Sequence, residues 1–384
     1  MRENSVEASW LSVAAWRFQR HGLGARAGAS AMLDVVRSLC GVHAQVMSCA
    51  ELTLWARVAA LERDAVARAL REDRTLVKTW AMRGTLHLLA ADELALWHGG
   101  LAGMKHFLTP GWARGFGLQV GQIEQVIAAV GVVLDGRMLN REELAEAVCA
   151  EVGDPALAET LRHSFGSTLK PAAYRAQLCF GPNDGQKVRF VRPDQWVAGG
   201  ERAPASVDQA MEEIVLRCLA VHGPLTREEL ARWWGGKPAE LGRVLKRLGE
   251  SVALVDVEGE ARWARAQDVE ALAGAAPAGP GVVRLLPAFD QYVVAATRHS
   301  DGLTLGAASQ AARIYRPQGW LTPVICVDGM FAGVWSSERK GAKLLVEVEP
   351  FTAGGPAKAL RAGVEDEAQR LAAFVGGELE LRWI

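Results

Sequence analysis

Asn140-Arg141-Glu142-Glu143-Leu144-Ala145 returns as Thr226-Arg227-Glu228-Glu229-Leu230-Ala231, and each copy follows a short turn that contains glycine. In both, a residue able to cap a helix (Asn140, Thr226) stands three positions ahead of a glutamate (Glu143, Glu229). At that spacing, side chain and backbone satisfy each other's free donors at a helix start. Helical patterning precedes each copy and ends at Leu139 or Leu225, while a second helix and then a strand-rich stretch come after it. The repeat therefore predicts tandem winged helix-turn-helix modules, an architecture that most often contacts DNA.

Working outward, the N-terminal segment shows helical patterning over Ser9 to Arg20, Ala31 to Leu39, Ala50 to Ala60 and Asp64 to Leu70. Two strand-like runs, Leu76 to Met82 and Thr85 to Leu89, flank Arg83-Gly84 and read as a wing, which makes this segment a diverged third copy. The second wing is expected from Ala176 to Phe180 and Lys187 to Val191 around the turn-rich Gly181 to Gly185. The third is expected in Val252 to Val257, turning at Glu258-Gly259. Ala271 to Gly281 reads as a linker. Beyond it, strand patterns at Val282 to Leu286, Tyr292 to Ala296, Thr322 to Val327, Met330 to Trp335 and Lys343 to Val348 suggest a small antiparallel barrel, closed by a helix from Glu365 to Val375. The expected fold is α+β: three tandem winged helix-turn-helix modules at 1–105, 122–200 and 206–270, then a C-terminal antiparallel β-barrel at 281–384.

Composition narrows the class. A chain of 384 residues, half of them hydrophobic, can bury several cores. No apolar run of membrane-spanning length and no signal-like N-terminus occur, so a cytoplasmic, nucleoid-associated protein without membrane partners is expected. The six cysteines form no Cys-x-x-Cys pair, which supports neither zinc nor a disulfide framework. A net charge of −1 argues against binding nucleic acid by bulk charge. The charge is uneven, however: Arg162, Lys170, Arg175, Lys187, Arg189 and Arg192 face only Asp184 between positions 161 and 192, and a second basic stretch runs from Arg284 to Lys343. Two readings stay open, a solvated face compensated elsewhere and a discontinuous track for phosphates.

Among chemistry-bearing residues, His43 and Gln45 stand out. In Gly41-Val42-His43-Ala44-Gln45-Val46 polar and apolar residues alternate, and positions two apart share a face of an extended segment but not of a helix. If Gly41 ends the preceding helix, an imidazole that titrates near neutrality and a carboxamide that both donates and accepts could hold one water. A hydrogen-bonded structural pair is the alternative. Arg83 and His87 on the first wing are candidates for backbone contacts with DNA, although His87 reads equally as a half-buried strand histidine. Lys170, Arg175, Arg298 and Arg316 are the remaining phosphate-contact candidates. Asp290 reads first as a turn cap. The 13 tryptophans mostly fill cores, and some could stack on bases. No phosphate-binding glycine loop, Gly-x-Ser-x-Gly elbow or His-Glu-x-x-His motif is present, and no metal or cofactor is implied.

Four stretches together resemble the AlkZ/YcaQ-type bacterial DNA glycosylases. They are Thr79-Trp80-Ala81-Met82-Arg83-Gly84-Thr85-Leu86-His87, Leu178-Cys179-Phe180-Gly181-Pro182, Leu285-Leu286-Pro287-Ala288-Phe289-Asp290 and Arg316-Pro317-Gln318-Gly319-Trp320. The resemblance implies three winged helices and a barrel, and a catalytic polar-aliphatic-polar signature that falls on His43-Ala44-Gln45. A histidine in the first place resembles the subgroup from producers of intercalating, DNA-alkylating antibiotics of the trioxacarcin type, whereas Gln-type relatives unhook interstrand cross-links. The same resemblance implies a monomeric, monofunctional glycosylase without cofactor. Its partner would be double-stranded DNA containing alkylated guanine, with the lesion reached inside a channel instead of being fully extruded. Two rivals remain, a non-catalytic winged-helix transcription regulator and a glycosylase for small alkyl lesions.

Overall fold

The computed structural model describes residues 6–163, 166–197, 206–277, 281–296, 300–306, 308–351 and 358–384. Both repeats open helices in the way their spacing requires. Asn140 caps Arg141–Val152: its Oδ1 accepts from the Glu143 amide at 3.0 Å while the Asn140 amide donates to Glu143 Oε2 at 2.8 Å. Thr226 and Glu229 repeat the reciprocal pair at 3.2 and 2.8 Å ahead of helix Arg227–Trp234.

The chain divides into two compact units. One gathers Met1–Ala65, Val215–Trp233 and Lys237–Ile384; the other gathers Val66–Ile214 and Trp234–Gly236. In the first unit, helices Trp10–Arg20, Met32–Ser38 and Met47–Trp55 occupy the N-terminal segment. Helix Pro238–Leu248 precedes the hairpin Val252–Val257 and Glu260–Arg265, which turns through left-handed Glu258 and Gly259. Strand Val6–Ala8 adds to this hairpin in parallel, and Val13, Val255, Val257, Ala264, Val269 and Leu272 pack into its core.

The C-terminal sheet has five strands, in the order Val283–Leu286, Val324–Val327, Met330–Lys340, Lys343–Pro350 and Glu378–Trp383. It corrects the sequence reading on two points. The sheet is open and not a barrel, because its last strand lies parallel to Lys343–Pro350 instead of closing onto Val283–Leu286. Parallel neighbours need a long crossover, and helix Lys358–Val375 supplies it. That helix packs on Val283–Leu286 closely enough that a Cβ on Gly363 would lie 2.4 Å from Val283 Cγ2. Secondly, the stretch Tyr292 to Ala296, expected as a strand, forms most of helix Gln291–Ala295 and its C-cap, and Asp290 caps the start by accepting the Tyr292 amide at 2.9 Å.

In the second unit, strands Leu76–Trp80 and Leu86–Ala90 form the first hairpin, paired from Leu76↔Ala90 to Trp80↔Leu86. Lys78 bonds across to Phe180 of Cys179–Phe180, which pairs with Arg189–Val191 and through it with Leu139–Asn140. The two expected wings thus share one sheet, stitched by Trp80, Phe180 and Phe190 with ring centroids 4.8 to 6.1 Å apart. Helix Arg141–Val152 packs beside it, with Val120–Val133 against that helix.

The two caps differ in one respect that predicts unequal energetics. Glu229 also pairs with buried Arg262 at 2.6 Å, whereas Glu143 is exposed. Glu143→Ala should cost about 1 kcal/mol. Glu229→Ala leaves Arg262 with exposed Glu260 as its one carboxylate partner among the described residues, beside the Trp10 ring, and should cost on the order of 3 kcal/mol. Urea unfolding of both variants checks this; equal losses would show that the buried pair adds nothing.

Candidate active site

Helix Met32–Ser38 stops in two consecutive left-handed residues, Cys40 (φ 59°) and Gly41 (φ 87°), whose amides return to Arg37 and Val36 carbonyls. Glycine adopts this region without a steric cost, whereas for Cys40 it costs roughly 1 kcal/mol. The chain then runs extended through Val42–His43 and bends at Gln45 and Val46 before helix Met47–Trp55 begins. Val42 and Ala44 are fully buried, His43 is 5% exposed and Gln45 is exposed. Gly41 does end the helix as expected, but the extended run stops before Gln45, which is exposed where His43 is buried.

The segment is fixed from the far end of the sequence, by Phe289, Asp290 and Gln291. Phe289 has a left-handed backbone (φ 61°) and lays its ring on the His43 imidazole, with centroids 5.0 Å apart and planes 22° from parallel. A bulky residue in that conformation costs of order 1–3 kcal/mol and persists only where its surroundings over-determine it. They do here. Asp290 receives both Arg57 Nη1 (2.7 Å) and Nη2 (2.8 Å), with both side chains 0% exposed. Arg57 also donates to the carbonyls of His21 (2.8 Å) and Thr53 (2.9 Å). Gln291 Nε2 donates to the Gly41 carbonyl at 2.6 Å, directly on the reversal that positions His43. On its other side, Phe289 meets Trp320 edge-on at 5.1 Å, and Trp320 is 53% exposed. An aromatic line thus runs from the buried imidazole to solvent.

The remaining sequence candidates fall in different places. Arg316 is exposed beside Trp320; its amide donates to the Trp320 carbonyl (2.9 Å) and its Nε to Thr322 Oγ1 (3.1 Å). Arg83 and Lys170 line one cavity of the second unit. Arg175 is half-buried, with Glu124 at 4.0 Å. His87 is a correction to the reading as a DNA contact: it is fully buried on Leu86–Ala90, its Nδ1 donating to the Thr85 carbonyl at 3.1 Å, so no phosphate can reach it without displacing the strand. Arg298 lies outside the described residues. Several cations of the supposed basic track are already matched, Arg162 with Glu146, Arg192 with Asp135 and Asp194, Arg313 with Glu349. That favours compensated faces for those positions. Among the described residues no cluster suited to a metal ion occurs, and no helix is long and apolar enough to cross a membrane. The six cysteines are free thiols, five of them buried.

Sequence reasoning missed the partners of His43. Phe289 and Trp320 lie inside two of the four family-like stretches, yet nothing local indicates that either stretch reaches position 43. Arg57 gave no signal beyond being a charge among apolar neighbours.

An α+β protein with a polar pair on a rigidly braced loop has the makings of an enzyme. The chain matches the family described as DNA glycosylase AlkZ-like over residues 36–374, and it belongs to that family. It is a DNA glycosylase, a DNA repair activity, and the regulator reading is set aside. It is 38% identical over 376 residues to the interstrand DNA cross-link repair glycosylase of Streptomyces sahachiroi, spanning 97% of this chain and 98% of that protein. The solved structure of the Streptomyces sahachiroi DNA glycosylase AlkZ superposes with a TM-score of 0.86 at 36% identity, covering 99% of this chain and 100% of that one.

The Arg57–Asp290 pair should behave as a unit. Asp290→Leu alone strands a buried guanidinium and should cost about 3–5 kcal/mol, whereas Arg57→Met combined with Asp290→Leu should cost much less than the two single losses summed. Thermal and urea unfolding of the three variants measures the coupling; simple additivity would refute it.

Proposed function

We propose that the protein removes guanine alkylated at N7 from duplex DNA as a monofunctional glycosylase, with bulky intercalating adducts as its main substrates and His43 and Gln45 as its catalytic residues. The observation that carries this reading is the braced segment itself. A histidine clamped by Phe289 and a solvent-facing glutamine two positions later supply a base and an orienting amide without a nucleophilic lysine.

The chemistry asks for little more. Alkylation at N7 places positive charge on the purine, so the C1′–N9 bond breaks with its electron pair going to the base, and no strong general acid is required. As the sugar acquires oxocarbenium character, Gln45 orients a water beneath C1′, and His43 accepts the proton released as the C1′–O bond forms. The products are a free base and an abasic site.

A second reading has its own support, because the Streptomyces sahachiroi relative is described as an interstrand cross-link repair glycosylase. One assay separates the substrates. Purified protein is incubated with duplexes carrying N7-methylguanine, a bulky intercalated N7-guanine adduct or an N7-linked interstrand cross-link, and released base and alkali-labile sites are counted. Release should be fastest from the bulky adduct. Faster release from the cross-link would favour the second reading, and release from N7-methylguanine alone would favour general alkylation repair.

His43→Ala and Gln45→Ala should each bind the lesion duplex with unchanged Kd and release base about a hundredfold more slowly or worse. Wild-type rates in both would remove the mechanism. Arg316→Ala should lower the slope of log K against log salt by about 0.9, the contribution of one phosphate contact; an unchanged slope would place Arg316 off the DNA.

A further inference from the structure

The second unit holds a cavity of about 320 Å³ whose lining combines two cations, Arg83 and Lys170, with four aromatic rings, Phe107, Trp112, Phe116 and Tyr174. That volume sits at the lower end of the range for ligand pockets. The rings touch in sequence: Trp112 lies 4.5 Å from Phe116 and 6.4 Å from Phe107, and Phe107 lies 6.1 Å from Tyr174. They form a continuous aromatic wall. The polar atoms converge at one end. A Cβ placed on Gly84 would lie 3.2 Å from Tyr174 Oη and 3.5 Å from Lys170 Nζ, so hydroxyl and ammonium gather around one point of backbone. Burial pulls the Lys170 ammonium below its ordinary range, and among the described residues no carboxylate opposes that shift. A cation in this state is stabilised by an incoming anion.

The lining is also closely packed around Arg83 and Gly84. Arg83 and Gly84 are both left-handed (φ 57° and 67°), and Gly235 approaches so closely that a Cβ there would lie 2.8 Å from Arg83 N and Cα. Strain held in place beside a cation and a cavity is a feature of binding sites more than of wall positions.

We propose that this cavity receives a single unstacked nucleotide of the DNA, its base against the Trp112 and Phe116 rings and its phosphate on Lys170 and Arg83. A planar ring joined to an anion matches both halves of the lining, and stacking on aromatic side chains tolerates any base. The nucleotide need not be the lesion. The inference rests on the DNA reading above, but it concerns binding and not bond cleavage, so the two can fail separately.

The test uses the full chain and undamaged duplexes, one fully paired and one carrying a single unpaired 2-aminopurine, with 2-aminopurine deoxynucleotide monophosphate as the free-nucleotide arm. Wild type should bind the bulged duplex about tenfold more tightly than the paired one and quench its fluorescence, a preference of the size one stacked base supplies. Trp112→Leu and Phe116→Leu should each abolish that preference while keeping paired-duplex affinity within about threefold. Both side chains are partly exposed, and thermal melts confirm that the variants fold. Equal binding of the two duplexes by wild type, or a preference surviving in either folded variant, overturns the proposal. Saturation of the cavity by the free monophosphate without any bulge preference overturns its assignment to DNA. Base release from the lesion duplex, measured in parallel, reports on His43 and Gln45 independently.

Discussion

The salt bridge between Arg57 and Asp290 is the constraint on which the first unit's geometry depends. Two ions removed entirely from water carry a desolvation penalty of several kcal/mol each, and their attraction offsets it only with good geometry and every remaining donor occupied. The geometry is good and four of the five guanidinium N–H donors have partners: the contact is bidentate, and Arg57 directs two further bonds to the carbonyls of His21 and Thr53. Replacing the pair with hydrocarbon could yield a chain of equal stability. Such a chain would lose direction, because a guanidinium fork accepts a carboxylate in one orientation and apolar side chains accept each other in many. Orientation matters here because Asp290 sits between the residue that covers His43 and the one that holds Gly41.

Strain at Phe289 has its origin in the same arrangement. Its neighbours are pinned on one side by the Asp290 cap on Gln291–Ala295 and on the other by the sheet strand Val283–Leu286, so the backbone turns left-handed to connect them. The ring is thereby delivered onto the imidazole. A more relaxed residue would fit the turn more easily and leave His43 uncovered.

Much of this architecture was legible in the residues, and the failures have identifiable causes. The repeated capping box was visible because its chemistry is complete within four residues, and the structure makes those hydrogen bonds. The N-terminal helices and the first hairpin were readable from periodicity and from Arg83-Gly84. Asp290 was readable as a cap for the same local reason. Its partnership with Arg57 was not, since it spans 233 positions and no pattern of one segment encodes the other. Tyr292 to Ala296 misled because Tyr, Val and Val favour strands, and a single carboxylate accepting an amide outweighed that preference. The barrel misled because alternating strands do not disclose whether the last one returns antiparallel or crosses over. At the candidate site, positions 43 and 45 could be singled out from alternation, but Phe289 could be joined to His43, and Gln291 to Gly41, only in three dimensions. His87 shows the converse: a polar residue in a motif can be interior.

The discontinuity of the first unit has a consequence for how the protein is born. With synthesis at about 5–20 residues per second, roughly 10–50 seconds separate the emergence of Arg57 from that of Asp290 across their 233-residue gap. Val66–Ile214 is nearly continuous and can collapse during that interval, whereas the N-terminal helices must wait for a partner still inside the ribosome. Until then the loop around His43 lacks its clamp, so a nascent or truncated chain is a folding intermediate with an unfinished centre, and exposed to chaperones and proteases more than to DNA.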